Sequence, residues 1–249
     1  MTDNSVRGRF VWHDLMTRNI PAAQAFYTKA LGWTVQAMEG AGGYSMFVAP
    51  AGAIGGAGPL QSGAPHWLPH IATPDIQQTV GDVTRLGGSI KTPVTPVPGM
   101  GQFAILADPQ GAVFSVYSST KHNPETVPAT GEFAWHELPT SDGKAALEFY
   151  RAVFGWDLNR EFDMGPMGTY SIFGRNGRDL GGIFTKPPEM PVNAWVGYVR
   201  VTGVEKSVAA VTAAGGKVIN GPMQVPGGEW IAQFLDPEGA TFAVVSTTK

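Results

Sequence analysis

Short runs of alternating apolar and polar residues along this chain are followed by stretches in which apolar residues recur at helical spacing. Residues 12–33 show the first such change: "WHDLMT" alternates as a half-buried strand does, and Pro21 then occupies a position typical of a helix start. The apolar positions of the predicted helix share one face: Ala22, Ala25, Phe26, Ala30 and Leu31. Gly32 follows them and is expected to end the helix.

The same change of period recurs in residues 67–88, "WLPHIATPDIQQTVGDVTRLGG". Asp75 is placed to cap the second helix and Gly87 to end it. The apolar face of this helix is made of four residues: Ile76, Val80, Val83 and Leu86. After each helix come short β-rich runs broken by Gly and Pro, such as "GGYSMFVAP". The pattern therefore predicts a β-α-β-β-β unit.

The second half of the chain repeats the first. "AAQAFYTKALGW" (22–33) aligns with "AALEFYRAVFGW" (145–156), and "LADPQGAVFSVYSS" (106–119) aligns with "LDPEGATFAVVSTT" (235–248). "YSMF" and "IGG" likewise recur as "YSIF" and "LGG". The offset between the copies shifts slightly along the chain, as small loop insertions produce in a true duplication.

The repeats define the predicted domain organisation. We expect a first domain over residues 1–120 and a second over 131–249. Residues 121–130, "KHNPETVPAT", are polar and aperiodic and are predicted to be a linker. Each domain holds two β-α-β-β-β units, so the chain holds four and belongs to the α+β class.

Composition and charge exclude several kinds of function. The 249-residue chain has a net charge of −3 and no Lys/Arg cluster, so no nucleic-acid partner is expected. It contains no cysteine, which excludes disulfides, thiolate metal sites and a cysteine nucleophile. Motifs for phosphate loops, dinucleotide folds, esterases and zinc proteases are missing. No signal sequence or membrane-spanning stretch is evident, so we expect a cytoplasmic protein with no membrane partner.

Together these motifs resemble a known superfamily. The repeated unit, "FYTKALGW" and "FYRAVFGW" after the first strand, and "DPQGAVF" and "DPEGATF" before the last strand are similar to the vicinal oxygen chelate superfamily, which includes glyoxalase I, bleomycin-resistance proteins and extradiol dioxygenases. The resemblance covers about residues 8–119 and 131–248. It implies that the units pair into two half-open β-barrel lobes, the glyoxalase/bleomycin-resistance/dioxygenase fold. The resemblance does not fix the activity, because the same fold serves lyases, dioxygenases and pure binding proteins.

The resemblance also marks the positions at which enzymes of the superfamily hold a divalent metal. The Glu expected seven residues after the Asp of "DPxG" is replaced by Ser115 and Ala243. The last strand of the first unit, which normally supplies a ligand, reads "AIGGAG" in one repeat and "LGGIF" in the other. Ser is a poor ligand, and the side chains of Ala and Gly offer none. We therefore predict no cofactor; the alternative is a divalent metal (Ni, Zn, Fe or Mn) in an atypical site.

The phrase "FVWHDL" (10–15) recurs as "FAWHEL" (133–138). With the "FY" of the helix as anchor, the metal-ligand position of the resembling family falls on Trp12 and its counterpart in the second repeat. Strand alternation then predicts that Trp12 and Asp14 face into the barrel, while His13 faces outward beneath the helix.

Asp14 and Glu137 are the candidate catalytic residues. A carboxylate beside a tryptophan in an apolar barrel is costly to bury unless it is paired, hydrogen-bonded or protonated, so it can orient a ligand or act as a base. The alternative is that each carboxylate caps backbone N–H groups at a strand end. His13 and His136 are predicted to be strand histidines covered by a helix; the alternative is that they are metal ligands.

Aromatic residues at strand positions predict a pocket that stacks a flat or apolar small molecule. The predicted ligand-binding residues are Trp12, Tyr44, Trp67, His70, Trp135, Tyr170, Trp195 and Tyr198. Three functions stay open: a metal-independent small-molecule binder, a lyase or dioxygenase with an atypical metal site, and a module that binds another protein. The first two differ in metal dependence, so whether the protein is an enzyme stays open too. We expect a small-molecule partner, and a monomer with pseudo-dimeric lobes or a homodimer.

Overall fold

A computed structural model describes residues 4–38, 42–121 and 125–249 of the chain. Within these residues four α-helices and sixteen strands follow one another as strand, helix and three strands, four times over. This order confirms the predicted β-α-β-β-β units. The elements of the first repeat are β1 (Phe10–Thr17), α1 (Ile20–Leu31), β2 (Thr34–Ala37), β3 (Ser45–Ala49), β4 (Gly52–Pro59), β5 (His66–Ala72), α2 (Ile76–Arg85), β6 (Ser89–Val97), β7 (Gly101–Ala107) and β8 (Val113–Ser119).

The second repeat has the same succession of elements. They are β9 (Phe133–Thr140), α3 (Gly143–Phe154), β10 (Asp157–Asp163), β11 (Thr169–Arg175), β12 (Arg178–Thr185), β13 (Val196–Arg200), α4 (Val204–Ala213), β14 (Lys217–Gln224), β15 (Trp230–Leu235) and β16 (Thr241–Ser246). Two short 3₁₀ helices, Asn4–Val6 and Gly165–Met167, lie outside this scheme.

The helix ends follow the signals in the sequence. Asn19 accepts a hydrogen bond from a backbone N–H in the first turn of α1, where Pro21 also lies. Gly32 ends this helix in the left-handed conformation, with φ 72°. Asp75 caps α2 through its side chain in the same way as Asn19 caps α1.

Each repeat forms one mixed eight-stranded sheet. The strand orders are β2-β3-β4-β1-β5-β8-β7-β6 and β10-β11-β12-β9-β13-β16-β15-β14. In every unit the first strand pairs in parallel with the last, as β1 does with β4 and β5 with β8. Strands that follow one another after the helix are antiparallel. The chain thus has the predicted α+β architecture of two lobes.

The chain also divides into two compact units that do not coincide with the repeats. Unit 1 comprises residues 1–11, 69–125 and 136–195, and unit 2 comprises residues 12–68, 126–135 and 196–249. Each unit therefore takes one β-α-β-β-β segment from each repeat. The domain limits 1–120 and 131–249 stay a prediction.

Each unit has its own aromatic core. In unit 2, α1 packs against α4, and the largest fully buried side chains include Tyr27, Trp33 and Phe47. In unit 1, α2 packs against α3, and Tyr150, Trp156 and Phe173 occupy the corresponding places. Burial of such large rings is the main favourable term in folding each unit.

The predicted linker, 121–130, is described only in part. Residues 122–124 lie outside the described residues, and residues 125–129 have no regular secondary structure. In the part of the chain that the structure describes, no helix is long and apolar enough to cross a membrane.

Candidate functional site

Strand β1 sends Asp14 and His13 to opposite faces. From Trp12 onward its residues are alternately partly buried and buried, so that Trp12 and Asp14 share one face while His13 and Leu15 share the other. This is the alternation expected from the sequence. The His13 ring stacks on Phe133 with 3.8 Å between ring centroids, so it belongs to the packed side of the strand.

Asp14 is the centre of a hydrogen-bonded triad in unit 2. The hydroxyl of Tyr44 donates to Asp14 Oδ1 at 2.6 Å, and Trp12 Nε1 donates to the same oxygen at 2.9 Å. Trp12 Nε1 also lies 2.8 Å from the Tyr44 hydroxyl oxygen. Burial first, and the Asp14 carboxylate second, raise the pKa of Tyr44 well above its ordinary value. The phenol therefore keeps its proton and acts as a donor to Asp14.

The tyrosine of the triad lies over Gly56 of strand β4. A Cβ atom at Gly56 would collide with the Tyr44 hydroxyl and with its Cζ atom. A Cβ at the preceding Gly55 would collide with the carbonyl oxygen of His13. Both glycines of "IGG" are therefore required, one by the tyrosine ring and one by the strand beside it.

Unit 1 contains the counterpart of this arrangement. The hydroxyl of Tyr170 donates to Glu137 Oε2 at 3.0 Å, and Glu137 is 9% exposed. A Cβ at Gly182 would collide with the Tyr170 ring, and a Cβ at Gly181 would collide with the carbonyl oxygen of His136. The repeated "YS" and "GG" motifs thus build the same contact in each repeat. In the sequence, this contact was signalled only by the repetition of both motifs. The repetition alone did not show that the tyrosine contacts the acid.

His136 is buried on the core side of strand β9. Its ring lies parallel to that of Phe10, with 3.5 Å between centroids and 4° between planes, and its Nδ1 is 3.3 Å from the carbonyl oxygen of Leu180. Burial lowers the pKa of His136 to about 3. The imidazole is therefore neutral at physiological pH and stacks as an aromatic ring.

Trp67 lies in the core of unit 2, away from the carboxylate. Only 5% of Trp67 is exposed, and its Nε1 donates to the hydroxyl of Tyr27 at 2.9 Å. That hydroxyl in turn donates to Asp236 Oδ2 at 3.1 Å. Burial raises the pKa of both Tyr27 and Asp236. The Asp of "DPEG" thus anchors a core tyrosine.

Trp195 repeats this arrangement in unit 1. Its Nε1 donates to the Tyr150 hydroxyl at 3.1 Å, which donates to Asp108 Oδ2 at 3.1 Å. The indole N–H groups of Trp67 and Trp195 are thus used inside the core, and the inclusion of both residues in the ligand-binding set stays a prediction. For Trp67 the sequence could not show this placement, because β5 is buried along both faces and alternation does not distinguish the core side.

His70 and Tyr198 occupy matching positions on β5 and β13. His70 is 6% exposed, pairs with Ser115 of β8 and lies 6.5 Å from the Phe103 ring. Tyr198 is 2% exposed, pairs with Ala243 of β16, and its hydroxyl accepts a hydrogen bond from Gln233 Nε2 at 2.6 Å. Trp135 packs against an apolar cluster of unit 2 that comprises Val196, Tyr198, Ala243 and Val245.

These residues offer few ligands to a metal ion. Across residues 4–38, 42–121 and 125–249, no three His, Asp or Glu side chains come together as a group that could hold one. Asp14 Oδ1 already accepts two hydrogen bonds, and Tyr44 covers the glycine of the strand from which the resemblance implies a ligand. The arrangement is instead suited to hydrogen bonding and to aromatic stacking.

The fold and these motifs define a family. The model of the Glyoxalase/Bleomycin resistance protein/Dioxygenase superfamily matches residues 9–116 and 132–244, and the chain belongs to this superfamily. Both repeats are matched, which confirms the predicted tandem form.

Similar proteins span nearly the whole chain. "Putative glyoxylase CFP32" of Mycobacterium tuberculosis (strain CDC 1551 / Oshkosh) is 31% identical over 243 residues, which cover 94% of this chain and 93% of the relative. "Anthracycline biosynthesis protein DauV" of Streptomyces sp. (strain C5) is 31% identical over 261 residues, which cover 96% of this chain and 93% of the relative.

Solved structures share the fold at low sequence identity. The Mn(II)-bound glyoxalase from Novosphingobium aromaticivorans is 15% identical with a TM-score of 0.69, and the match covers 98% of this chain and 83% of that one. The 2,2',3-trihydroxybiphenyl 1,2-dioxygenase from Sphingomonas wittichii strain RW1 is 13% identical with a TM-score of 0.72, and the match covers 96% and 90%. At such identities the likeness shows the fold alone.

Proposed function

We propose that this protein binds a small aromatic or apolar molecule beside its carboxylate–tyrosine pairs, without a metal. The observation that carries this proposal is the repeated geometry: in each repeat a tyrosine hydroxyl donates to an acidic side chain over a glycine. Such a pair presents an aromatic face and a fixed polar group together, which is the chemistry of a small-molecule site.

The donor set supports a metal-free site. Tyr44 keeps its proton because burial raises its pKa, and a protonated phenol is a poor metal ligand. Gly56 supplies no ligand and admits the tyrosine ring instead. Asp14 is left as one carboxylate, fewer than the three protein ligands that catalytic zinc sites use.

A flat aromatic ligand is favoured by the residues around the pairs and by one group of relatives. Trp12 and Tyr44 in unit 2, and Tyr170 in unit 1, are partly buried rings beside the acids. Proteins similar over almost the full chain are named for anthracycline biosynthesis. We therefore propose an anthracycline as the first probe, with the acids accepting hydrogen bonds from its hydroxyl groups.

The test is a titration of the protein into a fluorescent anthracycline, followed by anisotropy. We expect saturable binding that weakens about tenfold in Tyr44→Phe or Tyr170→Phe, because loss of one hydroxyl hydrogen bond to an acid costs about 1.4 kcal/mol or more. Tyr117→Phe is the matched control, since the Tyr117 hydroxyl bonds the carbonyl oxygen of Met100 instead. Absence of binding, or equal loss in the control, would contradict the proposal.

A second candidate is a metal-dependent lyase of the glyoxalase I kind, or a dioxygenase, with an atypical site. It is favoured by the fold likeness to a Mn(II)-bound glyoxalase and to dioxygenases. Metal content and the thermal midpoint with Ni²⁺, Zn²⁺, Fe²⁺ or Mn²⁺ distinguish the two candidates, because tight binding raises the midpoint by mass action. Stoichiometric metal that is lost in His13→Ala or Glu137→Ala would support the second candidate.

A further inference from the structure

A cleft of about 360 Å³ opens in unit 1 between helix α3 and strands β10 and β11. We call it the α3 cleft; the residues that matter in it are Lys144, Leu147, Glu148, Arg151, Leu158 and Glu161. It is separate from the Glu137–Tyr170 pair. Thr169 and Ser171 line it, and Tyr170, which stands between them on β11, points to the opposite face of the sheet.

The α3 cleft lies where unit 2 has a hydrogen bond between helix and strand. In the aligned repeats, Gln24 and Ser45 stand where Leu147 and Ser171 stand in the second repeat. Gln24 Nε2 donates to Ser45 Oγ at 2.8 Å and so ties α1 to β3. Leu147 has no polar group with which to make this bond, and Ser171 donates instead to Glu161 Oε1 at 3.1 Å. The bridge between helix and strand is therefore replaced by a recess.

The α3 cleft combines charges of both signs with an apolar surface. Lys144, Glu148 and Arg151 lie on one side of α3 at helical spacing, and Glu161 faces them from β10. Within the described residues Lys144 and Glu148 form no ion pair. Leu158, of which 37% is exposed, contributes the apolar surface, while Leu147 lines the cleft but is only 5% exposed.

This combination selects a class of ligand. Two cations and two anions leave the cleft without net charge, so a ligand of a single charge would meet repulsion as well as attraction. A zwitterion can direct its anion at Arg151 and Lys144 and its cation at Glu148 and Glu161. An apolar group on the same ligand would cover Leu158 and remove its exposed surface from water. The volume lies within the range of small-molecule sites.

We propose that the α3 cleft binds a free α-amino acid with a large apolar side chain, such as leucine. The α-carboxylate lies against Arg151 and Lys144, the ammonium group against Glu148 or Glu161, and the apolar side chain on Leu158. This proposal is independent of the aromatic ligand proposed for the carboxylate–tyrosine pairs.

The test is a titration of the methyl-labelled full chain with L-leucine, followed by NMR. We expect saturable shifts of the Leu158 methyl groups, and about tenfold weaker binding of N-acetyl-leucine, which lacks the cation, and of leucinamide, which lacks the anion. Leu147→Gln places at this position the glutamine that forms the helix–strand bond in unit 2, and it should weaken leucine binding about tenfold. Gln24→Leu, the reverse exchange in unit 2, should leave leucine binding unchanged.

Three outcomes would overturn the proposal. They are shifts that do not saturate by about 20 mM leucine, N-acetyl-leucine or leucinamide that binds as well as leucine, and full binding in Leu147→Gln. If Leu147→Gln lowers the thermal midpoint sharply, Lys144→Ala takes its place, because Lys144 is exposed and its replacement does not touch the core. Unchanged leucine affinity in Lys144→Ala would also count against the proposal.

Discussion

The Asp14–Tyr44 pair of unit 2 and the Glu137–Tyr170 pair of unit 1 place a tyrosine over a glycine in the same way, but they differ in the acid. The hydroxyl–carboxylate distance is 2.6 Å in the first pair and 3.0 Å in the second. In unit 2 the indole of Trp12 adds a second donor to the same carboxylate oxygen. The aspartate side chain is one methylene shorter than that of glutamate, so the carboxylate of Asp14 lies closer to its own backbone than that of Glu137 does.

The tyrosine–glycine contact is the same in both pairs, whereas the acid differs. Both repeats keep the tyrosine–glycine contact, because any side chain larger than hydrogen would displace the ring. The acid is replaced by one with an extra methylene, and the tyrosine still reaches it. The two pairs are therefore expected to share their structural requirements and to differ in ligand preference.

The largest expected effect is a loss of stability in acid through His136 of unit 1. The pKa of this buried histidine is about 3, against about 6.5 in an unfolded chain. The unfolded chain therefore binds the proton first, so stability is complete above about pH 6.5 and falls as the pH drops towards 3, by up to about 1.4 kcal/mol per pH unit. Urea denaturation at a series of pH values measures this loss.

His136→Phe should reduce the slope of stability against pH, because phenylalanine can stack on Phe10 and does not titrate. His66→Gln is the control, since His66 is partly exposed and lies in hydrogen-bond distance of the carbonyl oxygen of Ala64. If both variants lose stability in acid as steeply as the wild type, His136 does not carry the effect.

The next largest effect concerns the glycines beneath the tyrosines. Gly56→Ala and Gly182→Ala should each cost about 1–3 kcal/mol, because the new methyl group collides with the tyrosine ring and forces it to move. Both variants should also bind the anthracycline probe more weakly than the wild type does. Gly58→Ala is the matched control on β4, where a Cβ would come no closer than 3.4 Å to Tyr44. Denaturant unfolding measures the free energy of unfolding of all three variants. If Gly182→Ala leaves that free energy unchanged, the two carboxylate–tyrosine pairs are not equivalent.

A smaller and equal effect is expected for the core tyrosines. Tyr27→Phe and Tyr150→Phe each remove the hydroxyl that joins a buried indole N–H to a buried Asp, so each should cost about 2 kcal/mol. The two free energies of unfolding should agree within about 0.5 kcal/mol if the networks are equivalent. A cost close to zero in either variant would mean that water replaces the hydroxyl.

The smallest effect concerns the third residue of "DPxG". Glu238 Oε2 accepts hydrogen bonds from the Thr17 hydroxyl and from the backbone N–H of Arg18, and Gln110 Oε1 accepts the counterpart of the first bond from the Thr140 hydroxyl at 2.8 Å. The Thr17 bond is the main reason why the pKa of Glu238 is lowered. Stability from Glu238 is thus present above its unfolded pKa and lost as the pH falls.

Glu238→Gln should therefore remove a small acid-dependent contribution, under about 1 kcal/mol because the group is largely solvated. Gln110→Glu should introduce one in unit 1. Thermal midpoints at pH 7 and pH 4 measure both changes. Identical acid shifts in wild type and Glu238→Gln would show that the cap works equally well when protonated.

Much of the fold could be predicted from the sequence, because the change from a two-residue to a helical period recurs in each unit, with capping signals at α1 and α2. The faces of β1 could be predicted as well, since only one of them is fully buried and the helix motif fixes the register. The role of Trp67 could not, because β5 is covered on both faces. The role of Trp195 could not either, because it lies just before β13 and outside the alternating pattern. The contact of Tyr44 with Asp14 was missed because it joins residues far apart in sequence.

The Tyr27–Asp236 and Tyr150–Asp108 bonds carry a consequence for how the chain can be divided. Each joins the "FY" helix of one repeat to the "DPxG" turn of the other. A chain cut within residues 121–130 would therefore give two fragments, neither of which contains a complete tyrosine–aspartate partnership. Such fragments should recover structure only by complementation, when both are present in one solution. In evolution, a substitution in one repeat is tolerated only if it keeps the contacts with the other repeat. The two repeats are therefore expected to diverge together.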